Sequence, residues 1–191
     1  TGVVGLVATV IDGRDGLFEG DGTALRKVIV EGDGSLDGTI ASIDGASMNG
    51  DGIFAFLGEL DDEANTRGIV RADARPPLPQ VDMIVRVGDV APEVEDGIFG
   101  RFVPSVVPAI NTAGDVAFRV TLGGEATGAG IFVGHPDGST RKIVTTRDDV
   151  KALPATGEEE EDTLTRLRDP VLADDGSVVV GLSWYGCNLA H

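Results

Sequence analysis

Pro108 to Leu122 reads PAINTAGDVAFRVTL. Within it a short apolar run ending at Ile110 meets the polar turn Asn111 to Gly114, and a strand-like run follows from Asp115 to Leu122. Strand, tight turn and strand in this order describe a β-hairpin.

The pattern recurs along the chain, which makes the repeat the first thing to establish. Runs led by glycine begin at Gly2 (GVVGLVATV), Gly52 (GIFAFLGEL), Gly114 (GDVAFRVTL) and Gly176 (GSVVVGLSW). Their leading glycines are 50, 62 and 62 residues apart, so the first interval lacks a loop of about twelve. Ahead of three of them lie SMNGDG, AINTAGD and LADDGS, with Met48, Ile110 and Leu172 in register. Behind them come DGLFEGD at Asp15, RGIVRAD at Arg67 and AGIFVGH at Ala129. A third element follows: LRKVIVEGD from Leu25, VDMIVRVGD from Val81 and TRKIVTTRD from Thr140, rich in β-branched residues and closed by an acidic turn. Adding a fourth short strand (39–43, 104–110 and 168–172) gives the expected fold. It is all-β, with β-propeller-like repeats of about 62 residues forming antiparallel four-stranded blades, about three blades plus one extra strand. Residues 1–191 read as a single repeat domain, with units at about 1–51, 52–113 and 114–175 and a partial unit at 176–191. Between strands, ATGEEEED at 155–162 reads as an exposed loop of mutually repelling acids, and ARPPLPQ at 74–80 as a stiff connector.

Composition supports a globular chain of many turns: 191 residues, 41% hydrophobic, with 28 Gly and 9 Pro. The formal net charge of -17 opposes nucleic-acid phosphates and anionic lipid, leaving cationic partners such as Ca²⁺ or simply a solvated acidic surface. Arginine supplies all of the basic residues except Lys27, Lys142 and Lys151, which fits a GC-rich or a salt-adapted source. Cys187 is the single cysteine, so neither an intrachain disulfide nor a cysteine zinc site is expected. Apolar runs such as Val3 to Val10 have strand length and fall far below a membrane span of about 18 residues.

PAINTAGDVAFRVTL, followed by GIF at Gly130 to Phe132 and preceded by GDVAP at Gly88 to Pro92, resembles the repeats of a family of secreted or surface-attached bacterial proteins. That family's units carry P-x-I-N-x-x-G-x-V-A-F-x-A-x-L, then G-I-F and G-D-x-A-P. The resemblance implies export and a propeller-like architecture, and no established activity. The turn at Met48 to Gly52 keeps the Asn and Gly but not the family's spacing around them.

Candidate chemistry is sparse. Gly181-Leu182-Ser183-Trp184-Tyr185-Gly186 misses the Gly-x-Ser-x-Gly elbow by one residue. His135, ahead of Pro136, reads as an exposed turn residue rather than a triad base. Carboxylate pairs are unavoidable among 32 acids and single out nothing. Asp12 and Asp15 with Glu19 and Asp21, or Asp33 and Asp37, are the acids spaced closely enough to share a Ca²⁺ ion, although ordinary Asp-Gly turns are the plainer account of them. Trp184 and Tyr185 form the adjacent aromatic pair that could stack on a sugar ring. No catalytic residue and no cofactor is expected, with calcium the one candidate ion. The expected role is a non-enzymatic extracellular or cell-surface module for structure or recognition. Its partners would be other protein chains or itself, joined through an open edge strand. A lectin-like, Ca²⁺-dependent glycan binder is the alternative, and neither nucleic-acid binding nor membrane insertion is expected.

Overall fold

A computed structural model describes residues 3–35, 38–62, 64, 66–73, 75, 80–103, 105–148, 150–151, 161–162 and 164–184, and each regular element among them is a β-strand. One local device recurs at Val10–Arg14, Asn49–Ile53, Asn111–Asp115, His135–Ser139 and Ala173–Ser177. The first residue's N–H donates to the fifth residue's carbonyl, and the fourth residue, always glycine, donates back to the first. Those glycines (Gly13, Gly52, Gly114, Gly138 and Gly176) have φ between 79° and 89°. This is the left-handed conformation that closes a three-residue hairpin loop, which explains the invariant glycine of the repeat.

The first sheet contains β1 (Val4–Thr9), β2 (Asp15–Gly20) and β3 (Leu25–Val30) in that order. The second contains β4 (Ile40–Met48), β5 (Ile53–Leu60), β6 (Arg67–Asp73) and β7 (Gln80–Arg86). In the third, β10 (Val116–Gly124) pairs with β11 (Gly128–Gly134), which pairs with β12 (Thr140–Thr145). The other edge of β10 is shared by β8 (Gly97–Phe99) and β9 (Ala109–Ile110). Beyond the short pair β13 (Val150–Lys151) and β14 (Glu161–Asp162), two ladders make a fourth layer. Here β15 (Leu164–Leu167) pairs with β18 (Leu182–Trp184), and β16 (Val171–Leu172) with β17 (Val178–Val179). All pairings are antiparallel.

Uniform four-stranded sheets were expected; among the described residues, only the second sheet has four uninterrupted strands. The first has three. In the third, the strand beside β10 is split: Gly100 N–H and the Arg101 carbonyl still bond to Thr121, the chain then departs and returns at Ala109, and Pro108, which lacks an N–H, stands where it rejoins the ladder. Phe102 in that excursion is fully buried, so the detour also fills core. The strand expected to stand alone after Gly176 is instead paired, through β16 and β15.

Register repeats between the first three sheets in detail. Ala8 faces Gly16, Gly58 faces Gly68, and Val120 faces Gly130. On the next strand each ladder slips by one residue at the same place, between Leu17 and Phe18, Ile69 and Val70, and Ile131 and Phe132. A bulge of this kind strengthens local twist.

The sheets stack through alternate faces. The first core joins Leu17, Val28 and Ile29 of the first sheet to Phe54, Phe56 and Val70 of the second. The opposite face of the second sheet (Ala55, Leu57, Ile69, Val85) meets Val116, Phe118, Val120 and Phe132 of the third, with Phe99 and Phe102. The far face of the third, through Ala117, Val133 and Ile131, meets Leu172 and Leu167 of the fourth layer. Strands buried on both faces read as continuous apolar runs, which is the pattern of IFAFLGEL in β5.

Candidate functional site

The acids singled out for calcium have protein partners. Asp12 accepts from the Arg14 guanidinium (2.9 Å), which holds its carboxyl below the usual range, and the Arg14 N–H adds to the effect. Asp15 accepts the Thr9 hydroxyl at 2.6 Å. Asp33 accepts the Val30 N–H at 2.8 Å and the Lys27 ammonium at 3.0 Å. Asp148 repeats that arrangement in the third sheet, accepting from Thr145 N–H (2.7 Å) and Lys142 Nζ (2.9 Å). Burial raises its pKa, but these bonds outweigh burial and hold it below the ordinary carboxylate value. The acidic turns after the third strands thus act as turn locks: each ties an acid to a backbone N–H, Asp89 taking that of Arg86, and in the first and third sheets a lysine of the same strand joins it. Among the described residues, no group of three or more His, Cys, Asp or Glu side chains comes together as a metal site would need. Asp37 and Tyr185 lie outside the described residues, and Trp184 closes β18 with its side chain outside them.

The hairpins of successive sheets bond to one another. Asn49, buried between β4 and β5, accepts the N–H groups of Asp51 (3.0 Å) and Ile53 (2.9 Å). Its amide then donates to the Asn111 carbonyl at 2.7 Å, across 62 residues. Asn111 accepts from Asp115 N–H (2.9 Å) and its amide lies 3.4 Å from the Ala173 carbonyl, again 62 residues on. Thr112 N–H donates to Asp174 Oδ1, a third bond of that separation. His135 is half-buried rather than exposed: its Nδ1 lies 2.8 Å from Asp115 Oδ1, while Asn111 Nδ2 donates to Asp115 Oδ2 at 3.2 Å. The histidine and acid therefore belong to the same hairpin network. Replacing Asn49 by Ala removes an acceptor from a buried N–H and a donor from a buried carbonyl, at a cost of about 2 kcal/mol. Asn49→Asp keeps the acceptor but turns a charged carboxylate oxygen toward the Asn111 carbonyl, so it should cost at least as much as Asn49→Ala in urea denaturation.

Two surfaces remain. A shallow cavity of about 570 Å³ opens where the Gly88–Pro92 turn pairs alongside β8. Val90, Val94 and Ile98 form its apolar wall and Asp96 and Glu125 its acidic rim. Glu93 and Asp96, between that turn and β8, have φ of 57° and 52°, left-handed values that side chains other than glycine rarely adopt. The second surface is the outer face of the first sheet. Cross-strand pairing puts Val4, Leu6 and Ala8 on the same side as Phe18 and Gly20, facing away from the core that takes Leu17 and Ile29. The sequence announced neither surface, because GDVAP reads as a turn and GVVGLVATV has the pattern of the buried strand β5.

Among the described residues, no helix is long and apolar enough to cross a membrane. No curated protein and no solved structure matches the chain. A family model does, over residues 7–168, which takes in the three sheets from the second half of β1 onward, with their bulged ladders. The chain belongs to that family, described as a family of unknown function (DUF7453).

Proposed function

We propose that the chain is a non-enzymatic structural or recognition module, extracellular or at a cell surface, whose sheets are propeller-like blades following a repeat of about 62 residues. The observation that carries this reading is the set of hydrogen bonds between residues 62 apart, Asn49 to Asn111, Asn111 to Ala173 and Thr112 to Asp174. The residues that recur in the sequence hold one sheet to the next, close hairpins and lock turns. Such duties specify a scaffold rather than a reaction. The likeness to repeats of exported bacterial proteins supports the location. The net charge of -17 favours protein partners over nucleic acid or anionic membrane.

The purified chain tests this against esters, phosphate esters and glycosides, with and without calcium. No turnover above a blank is expected. Reproducible turnover that falls with a single substitution, Asp115→Asn beside His135 being the first to make, overturns the reading.

A further inference from the structure

The outer face of the first sheet has the make-up of an interior. Val4 is 58% exposed, Leu6 44% and Leu25 59%, and half-buried Phe18 lies between them in the cross-strand register. In the second sheet the matching positions are Phe54, Phe56 and Val70, and in the third Val116, Phe118 and Phe132, all buried. Apolar side chains at corresponding sites of one repeat thus differ in burial only because a neighbouring sheet covers two sets and not the first.

We infer that this face docks the fourth layer of a second copy of the chain, head to tail, an inference that rests on reading the sheets as stacked blades. The interior supplies the precedent for the occupant. In both covered cases the covering surface is the opposite face of the preceding sheet, Leu17 and Ile29 in one and Ala55, Leu57 and Ile69 in the other. The fourth layer turns that same kind of face outward. Val179 stands three residues after Gly176, as Ala55 does after Gly52 and Ala117 after Gly114. It is 66% exposed, and its cross-strand partner Val171 is 64% exposed. The molecule therefore carries both halves of an interface that it already uses within itself. Two unlike patches that complement each other produce a heterologous contact, which either closes a ring or propagates. Two copies would bring eight layers together, the upper end of the usual range of about four to eight blades. Each copy carries -17 charges, so screening should favour the contact.

The test is the solution mass by light scattering across protein concentration at low and high salt, for the wild type, Leu6→Asp and Val179→Asp. Both substitutions are at exposed positions, and circular dichroism checks that each variant is folded. The wild type is expected at two or more times 19.7 kDa, more completely so at high salt. Each variant alone is expected at the mass of one copy. Mixed, the two variants should form a heterodimer, because one retains an intact first face and the other an intact fourth layer. Wild type at the mass of one copy throughout overturns the inference. So does an oligomer that Leu6→Asp dissociates and Val179→Asp does not, which would mean like faces meeting, or an oligomer that neither substitution affects. A single-copy mass would leave the module reading standing, whereas substrate turnover would remove that reading without touching the assembly.

Discussion

Phe118→Ala is expected to destabilise the chain by about 3–5 kcal/mol, because a fully buried aromatic ring leaves a cavity that a stack of sheets cannot close by collapse. Phe118 sits at the centre of an aromatic group supplied by the third sheet and its detour, packed against Ala55, Leu57, Ile69 and Val85 of the second sheet. Its ring lies 5.8 Å from Phe99 edge-on, 6.0 Å from Phe102 and 6.1 Å from Phe132, while Phe99 and Phe132 meet edge-on at 4.9 Å. Such contacts add about 0.5–1.5 kcal/mol per pair beyond area burial. The check is urea unfolding followed by far-ultraviolet circular dichroism, with Leu6→Ala at the exposed counterpart as control. A loss below about 1 kcal/mol for Phe118→Ala would mean that the second and third sheets do not share one core. Leu6→Ala should change stability by no more than about 0.5 kcal/mol in the isolated chain, as substitutions at exposed positions usually do.

Much of this architecture was legible because it is local. The Asn-x-x-Gly and Asp-Asp-Gly turns specify hairpins through backbone chemistry that needs no tertiary partner, and all three formed where the repeat placed them. The 62-residue spacing of Asn111 from Asn49 was visible as a spacing. What it does is visible only once the hairpins lie side by side and the Asn49 amide reaches the Asn111 carbonyl. The split strand was less legible, since a proline in an apolar run signals an interruption without saying how long the chain stays away or that Phe102 fills the core meanwhile. The acidic turns show the limit from the other side. Asp12, Asp15 and Asp33 have the residue type and spacing of cation ligands, and only their geometry shows each one occupied by Arg14, Thr9 or Lys27. The exposed face of β1 was illegible in principle: an apolar strand is written the same way whether its cover lies in the same chain or in another molecule.

Gly68→Ala is expected to be the most damaging of the substitutions at Gly16, Gly68 and Gly130, with a loss of about 3 kcal/mol, the upper end of the usual overpacking cost. The three glycines head the second strands and look alike in sequence, DGLF, RGIV and AGIF, but the atoms that would meet a new Cβ differ. At Gly68 the nearest is the Val85 carbonyl oxygen, 1.9 Å from an ideal Cβ. At Gly130 it is Cε2 of Phe132 at 2.4 Å, and at Gly16 it is Cγ2 of Val30 at 2.7 Å. A side chain can rotate away from a methyl group, whereas a carbonyl in a sheet moves only if its strand moves with it. Val85 faces Ile69 immediately before the ladder slips by one residue, so shifting it also strains the bulge that sets the twist of the second sheet. The prediction is an order, Gly68 above Gly130 and Gly130 above Gly16, read from urea midpoints at equal transition slopes. Equal losses at the three sites would mean that glycine is needed there for its backbone conformation and not for the approach of the neighbouring strand. None of the three has a left-handed φ, which argues against the backbone cause, and a graded series instead of equal losses separates the two.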